Sequence, residues 1–377
     1  MTYNIPLAIP QIDLEEEKTV LEVLKSGWLT HGPFNEKFEE KFASYIGVEE
    51  AIAMNSCTSA LEIALKANDI TGDVIIPSFT FVATANSVIN SGANPIFCDV
   101  DFDTRNMTLE LIKEVITDNT QAIMVVHFAG QPCNMEEISV FCEDNNLLLI
   151  EDSAETIGAK YGNKQAGSYG IGCYSFFPTK NMTTGEGGML TCNDKKMAEK
   201  IRALIGHGIV KSSFQREKSE KPWFRSASIA GHNFRMSNLL AAIGFHQMDK
   251  LDDMNNHRKK IASIYNELLK DNPYCIQVPT LNPKAEHVYQ MYTITVDPNI
   301  RDTLVIQLRQ KGIFASVHFD PPVHKQEFYK DFPLKRPLTN TEKLSDSIIS
   351  LPIYQTMPEE YATIVIENIF EILKQGV

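Results

Sequence analysis

The sequence predicts an α/β protein. A large domain carries a mostly parallel sheet covered by helices on both faces, and a smaller C-terminal α+β domain follows. Three observations carry this prediction. Continuous apolar runs of strand length recur between about residues 50 and 210. Segments with helical spacing alternate with them, as in parallel sheets with helical crossovers. At 377 residues the chain also exceeds one simple core, so two domains are expected.

Taken in order, Val74-Ile75-Ile76-Pro77 is the first short apolar run, and Pro95-Ile96-Phe97-Cys98-Asp99-Val100 is the second. Ala122 to His127 and Leu147 to Ile150 are stronger. All are continuous rather than alternating, as strands buried on both faces should be. Leu109 to Thr117 and Glu136 to Asn145 have helical spacing. Asp99 with Asp101, His127 and Asp152 fall at C-terminal strand ends, the edge where open α/β sheets bind ligands. Met197, Ile201, Leu204 and Ile205 mark one face of a helix that stops at Gly206. Residues 207–232, including polar Lys211 to Arg225, read as a long loop. A helical pattern resumes at Ser237 and runs to about Leu269 with a break. The C-terminal third supplies strands at Met291 to Val296 and Phe314 to His318, and helices at Thr303 to Lys311 and Glu359 to Lys374. The expected domains are 1–250, which binds the cofactor, and 251–377, with residues 1–30 packing near the small one.

Composition is that of an ordinary soluble globular protein, with 43% hydrophobic and 22% charged residues. A formal charge of −13 argues against nucleic acid or an anionic membrane as partner. A local cluster of amides can still bind phosphate. Seven cysteines without CxxC spacing point to buried thiols in a cytoplasmic protein rather than disulfides or a metal site. No secretory signal and no apolar run of membrane-spanning length is expected.

The candidate site rests on spacing and context. Lys180 lies in Ser175-Phe176-Phe177-Pro178-Thr179-Lys180-Asn181, ahead of Gly185-Glu186-Gly187-Gly188. The segment before it, Gly170 to Phe177, reads as a buried strand. A lysine just beyond such a strand is partly desolvated, which favours the neutral amine a Schiff-base nucleophile needs. Most lone lysines are only solvated charge, so company decides. Asp152 ends an apolar run; it is a strand-end acid or the partner of a pyridine nitrogen. Together Lys180 and Asp152 read as a pyridoxal phosphate site. Asn55-Ser56-Cys57-Thr58-Ser59-Ala60-Leu61 opens a helix and offers amides and hydroxyls to a phosphate, or is simply a well-capped helix. An aromatic in Pro77 to Thr84 stacks on a planar ring or, on its own evidence, belongs to the core.

These blocks resemble the DegT/StrS family of sugar aminotransferases, pyridoxal phosphate enzymes of fold type I, the aspartate-aminotransferase-like fold. The resemblance runs from Ser26 to about His324. It is carried by Thr58 to Leu61, Phe81 to Asn86, Glu151 to Ala154, Ser175 to Asn181 and Gly231 to Ser237, in the family's order. It implies that Lys180 carries the cofactor and moves the proton, and that Asp152 faces the pyridinium. It implies Thr58, Ser59 and Ser175 as phosphate ligands and Phe81 as the stacking ring. Asn233 would reach the phosphate of a neighbouring subunit, so a homodimer with shared sites is expected. The loop before Asn233 and Val317-His318 would lie near substrate.

Glu155 stands where many members carry glutamine beside the cofactor's phenolic oxygen, and a carboxylate there cannot donate a hydrogen bond unless protonated. Lysine at 180, not the histidine of the family's dehydratase branch, favours transamination. The resemblance therefore implies transfer of the amino group of L-glutamate, released as 2-oxoglutarate, to a nucleotide-linked 4-keto-6-deoxy hexose. A cyclitol, a free keto-sugar or a small phosphorylated ketone remains open as acceptor. A non-catalytic regulator is disfavoured by the absence of a helix-turn-helix module and a basic surface.

Overall fold

The computed structural model describes residues 3–209, 221, 223 and 225–376. Most of the expected 211–225 loop, with Pro222 and Phe224, lies outside the described residues. The first strands are β1 (Glu50–Met54), β2 (Asp73–Pro77), β3 (Asn94–Cys98), β4 (Thr120–Val126) and β5 (Leu148–Asp152). A small hairpin, β6 (Lys160–Tyr161) and β7 (Lys164–Gln165), precedes β8 (Ile171–Ser175) and β9 (Gly188–Cys192). The main sheet has seven strands in the order β1-β9-β8-β5-β4-β2-β3. Strand β9 pairs antiparallel with both β8 and β1, and the other pairings are parallel. The sheet is thus mostly parallel, as the unbroken apolar runs require.

The helices of the first half are α1 (Leu14–Ser26), α2 (Pro33–Ile46), α3 (Cys57–Ala67), α4 (Val82–Ser91), α5 (Leu109–Val115), α6 (Met135–Asp144) and α7 (Lys195–Ile205). Period-two alternation sorts the strand side chains between two faces. Val74, Ile76 and Met124 pack with α3, α4 and α7. Ile75, Ile123 and Val125 pack with α5 and α6 on the other side. Gly206 ends α7, as read from the sequence.

After the partly described connection come α8 (Asn238–Gln247) and α9 (Leu251–Leu269), separated by the expected break. Then follow β10 (Ala285–Glu286), β11 (Tyr292–Thr295), α10 (Pro298–Gln310), α11 (Thr339–Ser347), β12 (Ile348–Leu351) and α12 (Glu359–Lys374). Strands β11 and β12 pair antiparallel, and α9, α10 and α12 bury a second core around them that includes Ile5. Phe314 to His318 is not a regular strand. It is held by isolated bridges, Ile313 to Ile5 and Ser316 to Ser350, because no neighbouring strand runs beside it for its whole length. Among the described residues no helix is long and apolar enough to cross a membrane. Six of the seven cysteines are buried, and Cys275 is exposed, contrary to the expectation that all are buried.

Three of the four strand-end polar groups are engaged by other groups of the protein. Asp99 accepts the Thr341 N–H and hydroxyl and the Asn340 N–H, and so ties α11 to the sheet. Asp101 closes its own turn through Thr104. His127 is fully buried. Its Nδ1 accepts the Cys133 N–H at 3.1 Å, so the proton on Nε2 faces Glu151 Oε2 at 3.0 Å. Glu151 also accepts from the N–H groups of Gly167, Tyr169 and Gly170 at 2.7–2.8 Å. Removing this carboxylate strands four donors, two of them buried and two partly buried. Glu151→Ala is therefore expected to cost about 3–5 kcal/mol, read as a lower midpoint in equilibrium denaturant unfolding.

Candidate active site

Asp152 follows Glu151 on β5 and points to the opposite face of the sheet. Thr84, in the first turn of α4, donates its hydroxyl to Asp152 Oδ2 at 2.8 Å, and Ala154 N–H lies 3.3 Å from Oδ1. Burial pushes the Asp152 carboxyl above its ordinary range. The Thr84 hydroxyl, the Ala154 N–H and the Lys180 charge work against that rise. Thr84 belongs to the Phe81 to Asn86 block, where the sequence points only to the aromatic. The signal was available: a hydroxyl three residues after the aromatic, at a helix start.

The start of α3 meets the same carboxylate. Cys57 Sγ lies 4.0 Å from Asp152 Oδ1. Burial first, and Asp152 next, push the Cys57 thiol well up, so it is no nucleophile here. Ser56 caps α3, accepting the Ser59 N–H at 3.1 Å, and its hydroxyl lies 3.0 Å from that of Ser59. The first N–H groups of α3 have no carbonyl within the helix to bond, which makes this end a donor cluster for an anion. Thr58 is half-buried in that turn. Ser175, also half-buried, pairs across β8–β9 with Gly188. A Cβ on Gly188 would lie 2.4–2.6 Å from the Ser56–Cys57 backbone, so only glycine lets β9 approach the start of α3 this closely.

Lys180 sits on the connection between β8 and β9. That connection is laced by Lys180 N–H to Phe177 O, Thr184 N–H to Phe176 O and the Thr183 hydroxyl to Phe176 O. Lys180 Nζ donates to Glu155 Oε1 at 3.1 Å, and the two side chains are only 15% and 11% exposed. The neighbouring Asn181 anchors the loop to Asn255 and to Val288 O. His318, on the irregular 314–318 segment, feels both charges of that pair. Burial holds its imidazole below the ordinary value; Lys180 adds to this and Glu155 opposes it. Its Nδ1 lies 2.8 Å from Ser350 Oγ.

Phe81, at the N-cap of α4, is 64% exposed, so the core reading of this aromatic fails. Phe79 takes the core place instead. Asn233 is exposed; its backbone pairs with Gly206, and the next residue, Phe234, accepts the Asn55 N–H at 2.8 Å. These bonds hold the Asn233 backbone near the end of β1 and leave its side chain exposed.

The donor set fits pyridoxal phosphate. It offers an amide-and-hydroxyl cluster for a dianion and a buried carboxylate for a protonated ring nitrogen. A shielded primary amine stands ready for an aldehyde, and an exposed aromatic edge for a ring face. An acid whose folded value is raised holds its proton more tightly when folded. Its contribution therefore favours folding at low pH and is lost as pH rises through the folded value. In the ligand-free chain, Asp152→Asn is thus expected to gain stability relative to wild type as pH rises from 4 to 8. Denaturant midpoints measured across that range check it; a difference that does not change with pH would contradict the burial of an ionising carboxyl.

Comparison with known proteins agrees with this chemistry. The profile of the DegT/DnrJ/EryC1/StrS aminotransferase family matches residues 10–370. The spore coat polysaccharide biosynthesis protein SpsC of Bacillus subtilis is 37% identical, covering 98% of this chain and 97% of its own. The structure of Helicobacter pylori PseC, an aminotransferase involved in the biosynthesis of pseudoaminic acid, superposes with a TM-score of 0.90 at 29% identity. It covers 99% of this chain and all of that one. DesI, solved in the presence of its TDP-sugar product, gives a TM-score of 0.87 at 28% identity over 97% of this chain and 93% of its own. The chain belongs to the DegT/DnrJ/EryC1/StrS family and is a pyridoxal phosphate-dependent sugar aminotransferase.

Proposed function

We propose that this enzyme transfers the amino group of L-glutamate to the keto carbon of a nucleotide-linked 4-keto-6-deoxy hexose, in amino-sugar biosynthesis. The observation that carries the reading is the convergence of Lys180, Asp152 and the start of α3 at one edge of the sheet. SpsC is named for spore coat polysaccharide biosynthesis and PseC for the biosynthesis of pseudoaminic acid, and the TDP-sugar product of DesI supports a nucleotide carrier.

When bound, pyridoxal phosphate supplies an aldehyde that exchanges amino groups and an electron-poor ring that stabilises negative charge. The residues of the chain do the rest. The N–H groups of α3, with the Thr58, Ser59 and Ser175 hydroxyls, hold the phosphate. Asp152, steadied by Thr84, keeps a proton on the ring nitrogen. Phe81 covers a ring face. Lys180 is the residue that would hold the cofactor covalently at rest. Once freed, it removes and returns the proton at the reacting carbon of each substrate, acting first as base and then as acid. Asn233 of a second copy completes the phosphate site, so the working unit is a homodimer.

Donor and acceptor share one site in turn, so double-reciprocal plots of the two-substrate reaction are expected to be parallel. Lys180→Ala should lower the transamination rate by about 10³-fold or more, read by 2-oxoglutarate release. Turnover near the wild-type rate would remove the reading. Among acceptors, kcat/KM should favour a nucleotide-linked keto-sugar over a ketocyclitol or a phosphorylated ketone. The reverse order would overturn the acceptor assignment alone.

A further inference from the structure

Glu155 occupies both of its carboxylate oxygens. Oε2 accepts the Ala129 N–H at 2.8 Å, and Oε1 accepts Lys180 Nζ at 3.1 Å. The Ala129 donor is not adjustable. Ala129 lies in a 3-10 turn, Phe128–Gly130, with φ 58°, a left-handed conformation. The turn is fixed on every side. His127 N–H bonds Asp152 O, and Phe128 N–H bonds the Asn106 side chain at 3.0 Å. The Ala129 and Gly130 carbonyls accept from Met291 and Val288. Gly130 has φ 103°, and a Cβ there would lie 2.9 Å from the Tyr289 and Gln290 amide nitrogens. The Ala129 N–H is therefore a rigid post, and Glu155 is the strut between it and Lys180.

We infer that Glu155 is a positioning residue that sets the place of Lys180 Nζ by bridging the Ala129 N–H to the lysine, and that glutamine cannot do this in this chain. The inference rests on the reading of Lys180 as the cofactor-bearing lysine. Both groups facing Glu155 are donors. A glutamine offers one acceptor oxygen and turns an NH₂ group toward the other donor. If the amide oxygen keeps Ala129, the NH₂ group faces the Lys180 ammonium of this ion pair, donor against donor. If it keeps Lys180, the strut loses its post. The other ionisable groups around the lysine, Asp152, Cys57 and His318, do not replace it. Asp152 is engaged by Thr84 and Ala154, Cys57 is a neutral thiol, and His318 is directed to Ser350. The acid at position 155 thus has a geometric task of its own in this chain.

The test follows covalent loading, not turnover. Full-length protein freed of cofactor is mixed with pyridoxal phosphate. In the loading step Lys180 Nζ replaces the aldehyde oxygen, a C=N bond forms and water leaves. The rise of lysine-bound absorbance gives the rate, and borohydride reduction with peptide mass analysis gives the residue. Glu155→Gln is expected to load at least about tenfold more slowly, while the folded variant still binds the cofactor through its phosphate. Glu155→Met, of similar volume and with only a weak thioether acceptor, is the second variant and should slow loading as much. Wild-type loading rates in either folded variant, with the label on Lys180, would overturn the strut and leave the proposed function standing. A label on a different lysine in the wild-type protein would overturn both.

Discussion

Glu151 collects four donors inside the sheet, three from the 167–170 turn and one from His127. The carboxylate is wholly buried, so each of those bonds forms where water cannot compete. The turn it gathers feeds β8, and His127 directly follows β4, so one side chain sets the strands on either side of β5. Because β5 alternates, the next residue must face the other way. Asp152 is thereby delivered to the site, with its backbone held between Val126 and Cys173. The order of the active edge follows from this clamp. If the β5–β8 register were to slip by one residue, Asp152 would turn into the α5–α6 face and Glu151 into the site.

The site is assembled from separate stretches of chain, each of which arrives by a different device. A serine cap opens α3, a glycine lets β9 press against it, and the first turn of α4 supplies Thr84. A laced loop holds Lys180, and the bridged 314–318 segment brings His318. None of these devices is large in energy. Their effect is positional, because burial at this edge makes an unpaired polar group costly and so leaves few alternative arrangements.

Much of this was legible in the chain. The strands β2 to β5, the helices α5 to α7, the break between α8 and α9 and the helix Glu359–Lys374 follow from periodicity and stop signals. Lys180, Asp152 and the start of α3 were legible through context, since each borders an apolar run or opens a helix. What failed was facing. A polar residue at a strand end is located along the chain by sequence, but pairing decides what it meets. Hence Asp99 holds α11, and His127 serves Glu151. Phe81 was ambiguous for the same reason, because a helix N-cap can turn outward where its neighbour Phe79 turns in. Phe314 to His318 has strand composition but only single bridges, a matter of partners that local propensity does not report.

The reversal of β9 has a consequence for where the lysine can be. Parallel neighbours are joined by a chain that leaves one end of the sheet, passes over a face and re-enters at the other end. An antiparallel neighbour needs no such journey, so the chain leaves β8 and enters β9 at the same edge, through residues 176–187. Lys180 therefore rides on a return bend rather than on the overpass of a crossover. A bend closed at both ends by adjacent strands cannot drift along the sheet, and its length is bounded by the gap it spans. One strand running against its neighbours thus converts a mobile, charged side chain into a fixed landmark of the architecture.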